Sequence, residues 1–165
     1  MKKYKLIFCD LDGTLIKTQS GETFPKGIWD MEVDLVAIDA LKKASPETIA
    51  IVSNQGGIEL GHVNSAHFQS KLEYIQFSIN ELTGIPTLGL FCPTNNKQDS
   101  YRKPNTGMLK SVFSMFEYAK EDCCMIGDAS GLPGQFSDSD KKTAENFGID
   151  YYDVKEFIDQ VNKSV

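Results

Sequence analysis

Positive charge is scarce in this chain. Seventeen lysines and arginines stand against 23 aspartates and glutamates, for a formal net charge of −6 and a pI near 4.9. Nucleic acid and anionic lipid favour basic surfaces, so the chain as a whole does not attract either, and an anionic substrate must be held locally. Histidine is scarcer still: His62 and His67 are five residues apart, not a facing helical pair, and no acidic or thiol partner stands beside them at ligand spacing. They are read as surface residues. The four cysteines, Cys9, Cys92, Cys123 and Cys124, show no CxxC spacing and are expected to be free and mostly buried, with Cys123 and Cys124 on opposite strand faces. No GxxxxGK[ST] phosphate loop occurs, which speaks against a kinase activity. No long apolar run occurs either. The opening MKKYKLIFCD is too short for a signal-peptide core or a membrane span, so the expectation is a cytoplasmic protein, nuclear in a eukaryote, with no membrane partner. Repeats, low-complexity tracts and linkers are absent, and 165 residues suit one domain, 1–165.

What is present is an alternation. Lys5 to Cys9 is a short apolar run closed by the polar string DLDGT, as for a buried strand ending in a loop. Val33 to Ala44 places Val33, Val36, Ala37, Ala40 and Leu41 on one helical face. Thr48 to Val52 is a second strand stopped by SNQGG, Ser65 to Leu82 a long helix, and Leu88 to Cys92 a third strand. A helix over Thr106 to Ala119 leads to a fourth strand, Cys123 to Ile126, ending in GDASG. A short helix over Lys141 to Phe147, an edge strand over Ile149 to Tyr152 and a closing helix over Val154 to Val161 complete the pattern. Such alternation predicts an α/β fold: a doubly wound, Rossmann-like, mostly parallel sheet with helices on both faces and the ligand site beyond the carboxyl ends of the strands. The loops Lys17 to Met31, Pro93 to Arg102 and Ser130 to Ser139 are expected to rim that site. No stretch is long enough for a separate cap domain, and an open site suits a polymer end.

The strand ends carry the chemistry. Asp10 and Asp12 follow the first strand and precede Gly13 and Thr14, where the chain can turn and present backbone N–H groups. A carboxylate can attack phosphorus, but two anions repel unless a cation lies between them. Magnesium meets that need, because it takes oxygen ligands and is usually held by one or two carboxylates with water and substrate phosphate. Asp128, ending the fourth strand, offers a further ligand. Ser53 and Asn54 end the second strand, where a hydroxyl and an amide can donate to phosphoryl oxygens; Gln55, Gly13 and Thr14 join them as candidate substrate contacts. Lys103 supplies a fixed positive charge against the transferring group. Arg102 beside it is read either as a phosphate contact or as half of a surface ion pair.

In this order DLDGT, Ser53, Lys103 and the GD of the fourth strand resemble the four motifs of the haloacid dehalogenase superfamily of aspartyl-phosphate phosphatases. The resemblance implies Asp10 as nucleophile, Asp12 as general acid and base, and Mg2+ on the carboxylates of Asp10 and Asp128 and the backbone carbonyl of Asp12. The strings IKTQSGETFPKG, SNQGGI, YRKPNTGM and GDASGLPGQFSDSD look like the phosphatase domain of polynucleotide kinase 3′-phosphatases, over roughly Phe8 to Phe157. This second resemblance implies a 3′-phosphorylated DNA end as substrate, in DNA repair. It also implies a further acidic position after the GD segment, filled by Asp140 with Asp138 as competitor.

Two rivals stand beside that reading. Histidinol-phosphate and heptose-bisphosphate phosphatases share DxDGT, an SNQ-like second motif and an RKP-like third, but typically carry a zinc loop before RKP. Here Cys92 is followed by Thr94, Asp99 and Tyr101, and one cysteine cannot make a tetrahedral site, so no structural zinc is expected. The other rival is a scaffold that keeps the fold without catalysis. Trp29 and Phe24 are read either as stacking platforms for a base or as caps on the core. Gly56 and Gly57 are read as turn residues in preference to a phosphate cradle. No element that reads bases or sets an oligomeric state is visible.

Overall fold

The computed structural model describes residues 1–23 and 25–164. Five strands form one parallel sheet: β1 (Leu6–Cys9), β4 (Thr48–Asn54), β5 (Thr87–Cys92), β6 (Cys123–Gly127) and β7 (Asp150–Asp153), in the order β5-β4-β1-β6-β7. The remaining strands, β2 (Ile16–Lys17) and β3 (Glu32–Val33), pair with each other as a small antiparallel ribbon. The strand carrying Asp10 is therefore central and hydrogen-bonded on both sides. The order reverses at β1, which places the strand-end loops of β1, β4 and β6 around one crevice.

Helices cover both faces because the strands are apolar on both. Ile7, Cys9, Ile49, Ile51, Cys124 and Ile126 point to the side covered by α1 (Leu35–Ala44), α2 (Ser65–Thr83) and α5 (Val154–Lys163). Leu6, Phe8, Ala50, Val52, Cys123 and Met125 point to the side covered by α3 (Gly107–Phe113) and α4 (Ser139–Phe147). Cys123 and Cys124 do fall on opposite faces, and all four cysteines are free and buried. No helix among the described residues is long and apolar enough to cross a membrane.

Two helices differ from their expected form. Asp34 caps α1 by accepting the amides of Val36 and Ala37, so the helix starts after Val33, which belongs to β3. Rotating the start in this way puts Ile38 in the core with Ala37, Ala40 and Leu41, and leaves Val36 exposed. The helix expected over Thr106 to Ala119 stops at Phe113. Beyond it, the Phe116 and Tyr118 rings stack on each other with centroids 5.1 Å apart and planes inclined by 11°.

The first of the predicted rim loops is knotted. Asp30, buried at 1% exposure, accepts hydrogen bonds from the Ser20 amide, the Ser20 hydroxyl and the Lys26 amide. Phe24 lies outside the described residues.

Candidate active site

Parallel pairing brings the ends of β1, β4 and β6 together, and each delivers the side chain expected of it. Asp10 is 8% exposed, and its amide donates to the Ile126 carbonyl, which extends the β1–β6 pairing past the last strand residue. Its carboxylate accepts a 2.6 Å hydrogen bond from Lys103 Nζ and a longer one, 3.4 Å, from Thr14 Oγ1. Asp12 is exposed, and its carboxylate accepts from Gln55 Nε2 at 2.7 Å. The same amide donates to Ser53 Oγ at 2.8 Å, so one glutamine links the end of β4 to the loop after β1.

Gly13 has a φ of +78°, and a Cβ there would lie 2.1 Å from Asp128 Oδ2. Only glycine lets the loop after β1 approach Asp128 this closely. Gly127 has the same role toward Asp140, whose carboxylate would meet a Cβ at 2.3 Å. Asp140 sits in the first turn of α4 and is 1% exposed; it accepts from the Ala129 amide at 3.1 Å and from Lys103 Nζ at 2.6 Å. Asp138 points elsewhere: it pairs with Lys142 at the surface. Of the two candidates in FSDSD, the fold brings Asp140 into the site.

Lys103 is thus held between two carboxylates. Burial works against its charge, but Asp10 and Asp140 outweigh it and hold its pKa above the ordinary lysine value. Asp10 is pushed up by burial and by Asp140, with Lys103 opposing. Asp128 is pushed up to about 6, first by burial and then by Asp140. Asp10, Asp128 and Asp140 bring oxygens within 4.8 Å of one another. Lys103 is the cation that pairs with this group among the described residues, and one ammonium leaves most of the negative charge uncompensated. An all-oxygen donor set with excess negative charge fits a hard divalent cation such as magnesium.

Two of the expected substrate contacts also bond to the protein itself. Asn54 donates its amide to the Lys103 carbonyl and accepts the Lys103 amide, at 3.0 and 2.9 Å, so it fixes the lysine backbone where a phosphate contact was expected. Arg102 donates through Nη1 to the Thr94 carbonyl at 2.8 Å and ties down the loop before it. That loop carries contacts with no sequence signature. Glu59 accepts from the amide of Asn95, and Asn95 donates to the Gly56 carbonyl. A Cβ on Gly56 would lie 2.0 Å from the Asn95 side chain, so a larger residue there would displace the Asn95 amide. Nothing in the SNQGG string alone announces this, because Glu59 and Asn95 are common surface residues.

A parallel sheet with this array of aspartates and a bridging lysine at its carboxyl edge defines a phosphatase of the haloacid dehalogenase type. The model of the family described as polynucleotide kinase 3 phosphatase matches residues 5–158, and the chain belongs to that family. It is 34% identical over 169 residues to the bifunctional polynucleotide phosphatase/kinase of Schizosaccharomyces pombe; the match covers 95% of this chain and 38% of that protein. It is 32% identical to an uncharacterized 20.8 kDa protein of Autographa californica nuclear polyhedrosis virus, covering 95% of this chain and 87% of the relative. A probable heptose-1,7-bisphosphate 7-phosphatase of Thermoplasma volcanium is 26% identical over 137 residues, covering 81% and 91%. Among solved structures, the D,D-heptose 1,7-bisphosphate phosphatase of B. bronchiseptica, complexed with magnesium and phosphate, has the same fold at a TM-score of 0.66 and 20% identity, covering 98% of this chain and 99% of that one.

Proposed function

We propose that the chain is a magnesium-dependent phosphomonoesterase that removes the 3′-phosphate from DNA ends through a phospho-Asp10 intermediate. The observation that carries the chemistry is the Lys103 ammonium bridging Asp10 and Asp140, with Asp128 beside them. A carboxylate oxygen of Asp10 attacks phosphorus in line while the bond to the leaving 3′-oxygen breaks. Asp12, exposed and held by Gln55, protonates that oxygen, and then takes a proton from the water that hydrolyses phospho-Asp10. Ser53 Oγ and the backbone N–H groups of the loop around Gly13 and Thr14 offer donors to the phosphoryl oxygens, and Lys103 neutralises the charge on them. Magnesium held by Asp10, Asp128 and the Asp12 carbonyl would supply Lewis-acid neutralisation between the anionic nucleophile and the anionic substrate.

The polynucleotide assignment is supported by the family match over residues 5–158 and by the fission-yeast relative. The sugar-phosphate reading is supported by the Thermoplasma relative and by the B. bronchiseptica fold neighbour. The deciding measurement is phosphate release from a 3′-phosphorylated oligonucleotide, compared with a 5′-phosphorylated one, histidinol phosphate and heptose 1,7-bisphosphate. The 3′ end should lead in kcat/KM by orders of magnitude. Leadership by a sugar phosphate would replace the substrate and keep the chemistry. Asp10→Asn should abolish turnover, and Asp12→Asn should lower kcat by about 10²–10⁴, the usual contribution of a positioned acid–base group.

A further inference from the structure

Ser53, Asn54 and Gln55 follow one another at the end of β4, and Gln55 carries its side-chain amide across to Asp12. Its backbone is anchored: the Gln55 amide donates to the Cys92 carbonyl at 2.7 Å, one step past the β4–β5 pairing, and the Gln55 carbonyl accepts from the Ile58 amide at 3.1 Å. Asp12 is anchored as well, by its bridge to Ile16 and by the neighbouring Gly13 amide, which donates to the Ile16 carbonyl at 2.8 Å. One side-chain amide therefore joins two fixed loops.

The polarity of that link follows from its donors and acceptors. A carboxylate only accepts, so the Gln55 nitrogen, with its two hydrogens, faces Asp12 Oδ2 at 2.7 Å. The same nitrogen lies 2.8 Å from Ser53 Oγ, so its second hydrogen goes to the hydroxyl, and Ser53 accepts. The hydrogen of that hydroxyl then has no acceptor among the described residues, although Ser53 is only 1% exposed. On the other side of the link, Asp12 Oδ2 is occupied, while Oδ1 takes no hydrogen bond from the described residues. Gln55 thus leaves a hydroxyl hydrogen and a carboxyl oxygen unused at the carboxyl edge of the sheet. The first suits a phosphoryl oxygen, and the second can carry a proton for a leaving group.

We propose that Gln55 is the positioning residue of the proton transfer: it holds Asp12 with Oδ1 toward the leaving oxygen and Ser53 with its hydroxyl hydrogen toward the phosphoryl group. The inference rests on the phospho-Asp10 reading above and deepens it, and it holds for any alkyl phosphate substrate. As Asp10 bonds phosphorus and the bond to the ester oxygen breaks, the proton on Asp12 Oδ1 passes to that oxygen, while Oδ2 keeps its hydrogen bond from Gln55. In the second step water bonds phosphorus, the bond from Asp10 to phosphorus breaks, and a water proton goes to the same Oδ1. A carboxyl free to turn would present either oxygen at either step, so holding it removes conformers that cannot react.

The leaving group separates this role from a structural one. An alkyl oxygen needs a proton to leave, whereas the nitrophenolate of p-nitrophenyl phosphate leaves without one. Gln55→Leu, which keeps the bulk and deletes the donors, should lower kcat/KM for the preferred alkyl phosphate about tenfold more than for p-nitrophenyl phosphate, as for loss of one hydrogen bond to a charged group. In an Asp12→Asn background the same substitution should leave the ratio of the two values where Asp12→Asn alone puts it, because the proton carrier that Gln55 positions is already gone. Gln55→Met, unbranched like glutamine, should repeat both results. Equal losses on the two esters would make Gln55 a contact to the phosphoryl group, and a ratio that falls as far in the Asp12→Asn background would make it a contact to the rest of the substrate. Either result overturns the positioning role and leaves the function standing, as do wild-type values for both esters. If Asp10→Asn keeps turning over, or Asp12→Asn alone leaves the ratio at its wild-type value, the phospho-Asp10 reading falls and this inference with it.

Discussion

Lys103 shows how much of the site is decided by single residues. A compact ammonium on a flexible stem fits between Asp10 and Asp140 at 2.6 Å from each, where the planar fork of arginine would not. Its neighbour Arg102 instead donates through one nitrogen to the Thr94 carbonyl. Asp30 acts at the same scale away from the chemistry. The Ser20 hydroxyl first, and the Lys26 and Ser20 amides after it, hold its carboxyl down to about 2 from an ordinary 3.8. Because the folded pKa is the lower one, the stability it contributes is in place above pH 3.8 and drains as pH falls toward 2. Trp29 emission should therefore change across that window, and Asp30→Asn should show the acid-form emission already at neutral pH. An emission spectrum unaltered by the substitution would mean that the knot does not hold the Trp29 loop.

At the scale of elements, termini are the adjustable part. Helix α1 ends at Ser45, a non-glycine residue with a φ of +50°, where a left-handed conformation strains any side chain. Ser45→Gly should raise stability by about 0.5–1 kcal/mol, measured by denaturant midpoint at unchanged slope. Elements were also the scale at which the sequence was most readable. Runs such as LIFC and the IAIV of β4 could be placed because a strand buried on both faces is a near-continuous apolar run. The α3 helix was read too long, since Phe116 keeps helical spacing but packs against Tyr118 instead. The ribbon β2–β3 was invisible because two-residue strands are too short to show a period. In the site, the aspartates and Lys103 were legible from type and order. The supporting contacts of Asn54, Gln55, Glu59 and Asn95 were not, because each depends on which loop the fold brings opposite.

For the whole molecule, the magnesium site proposed above would link stability to the cation. Magnesium binding only the folded chain at one hundred times its Kd adds about 2.7 kcal/mol. For a domain of this size that corresponds to a rise in Tm of about 5–10 °C. Asp128→Asn should remove most of the rise in a thermal-shift titration, whereas a full rise in the variant would place the ion elsewhere.

The four cysteines turn the same architecture into a set of clocks. Each thiol is buried and raised in pKa, above all by burial, so a thiol reagent can reach it only when its strand opens. Cys92 ends the edge strand β5, Cys123 and Cys124 begin β6, and Cys9 ends β1 at the centre. Labelling followed by mass spectrometry should mark Cys92 first and Cys9 last. That order would time the sheet's unzipping from its rim to the strand that leads into Asp10.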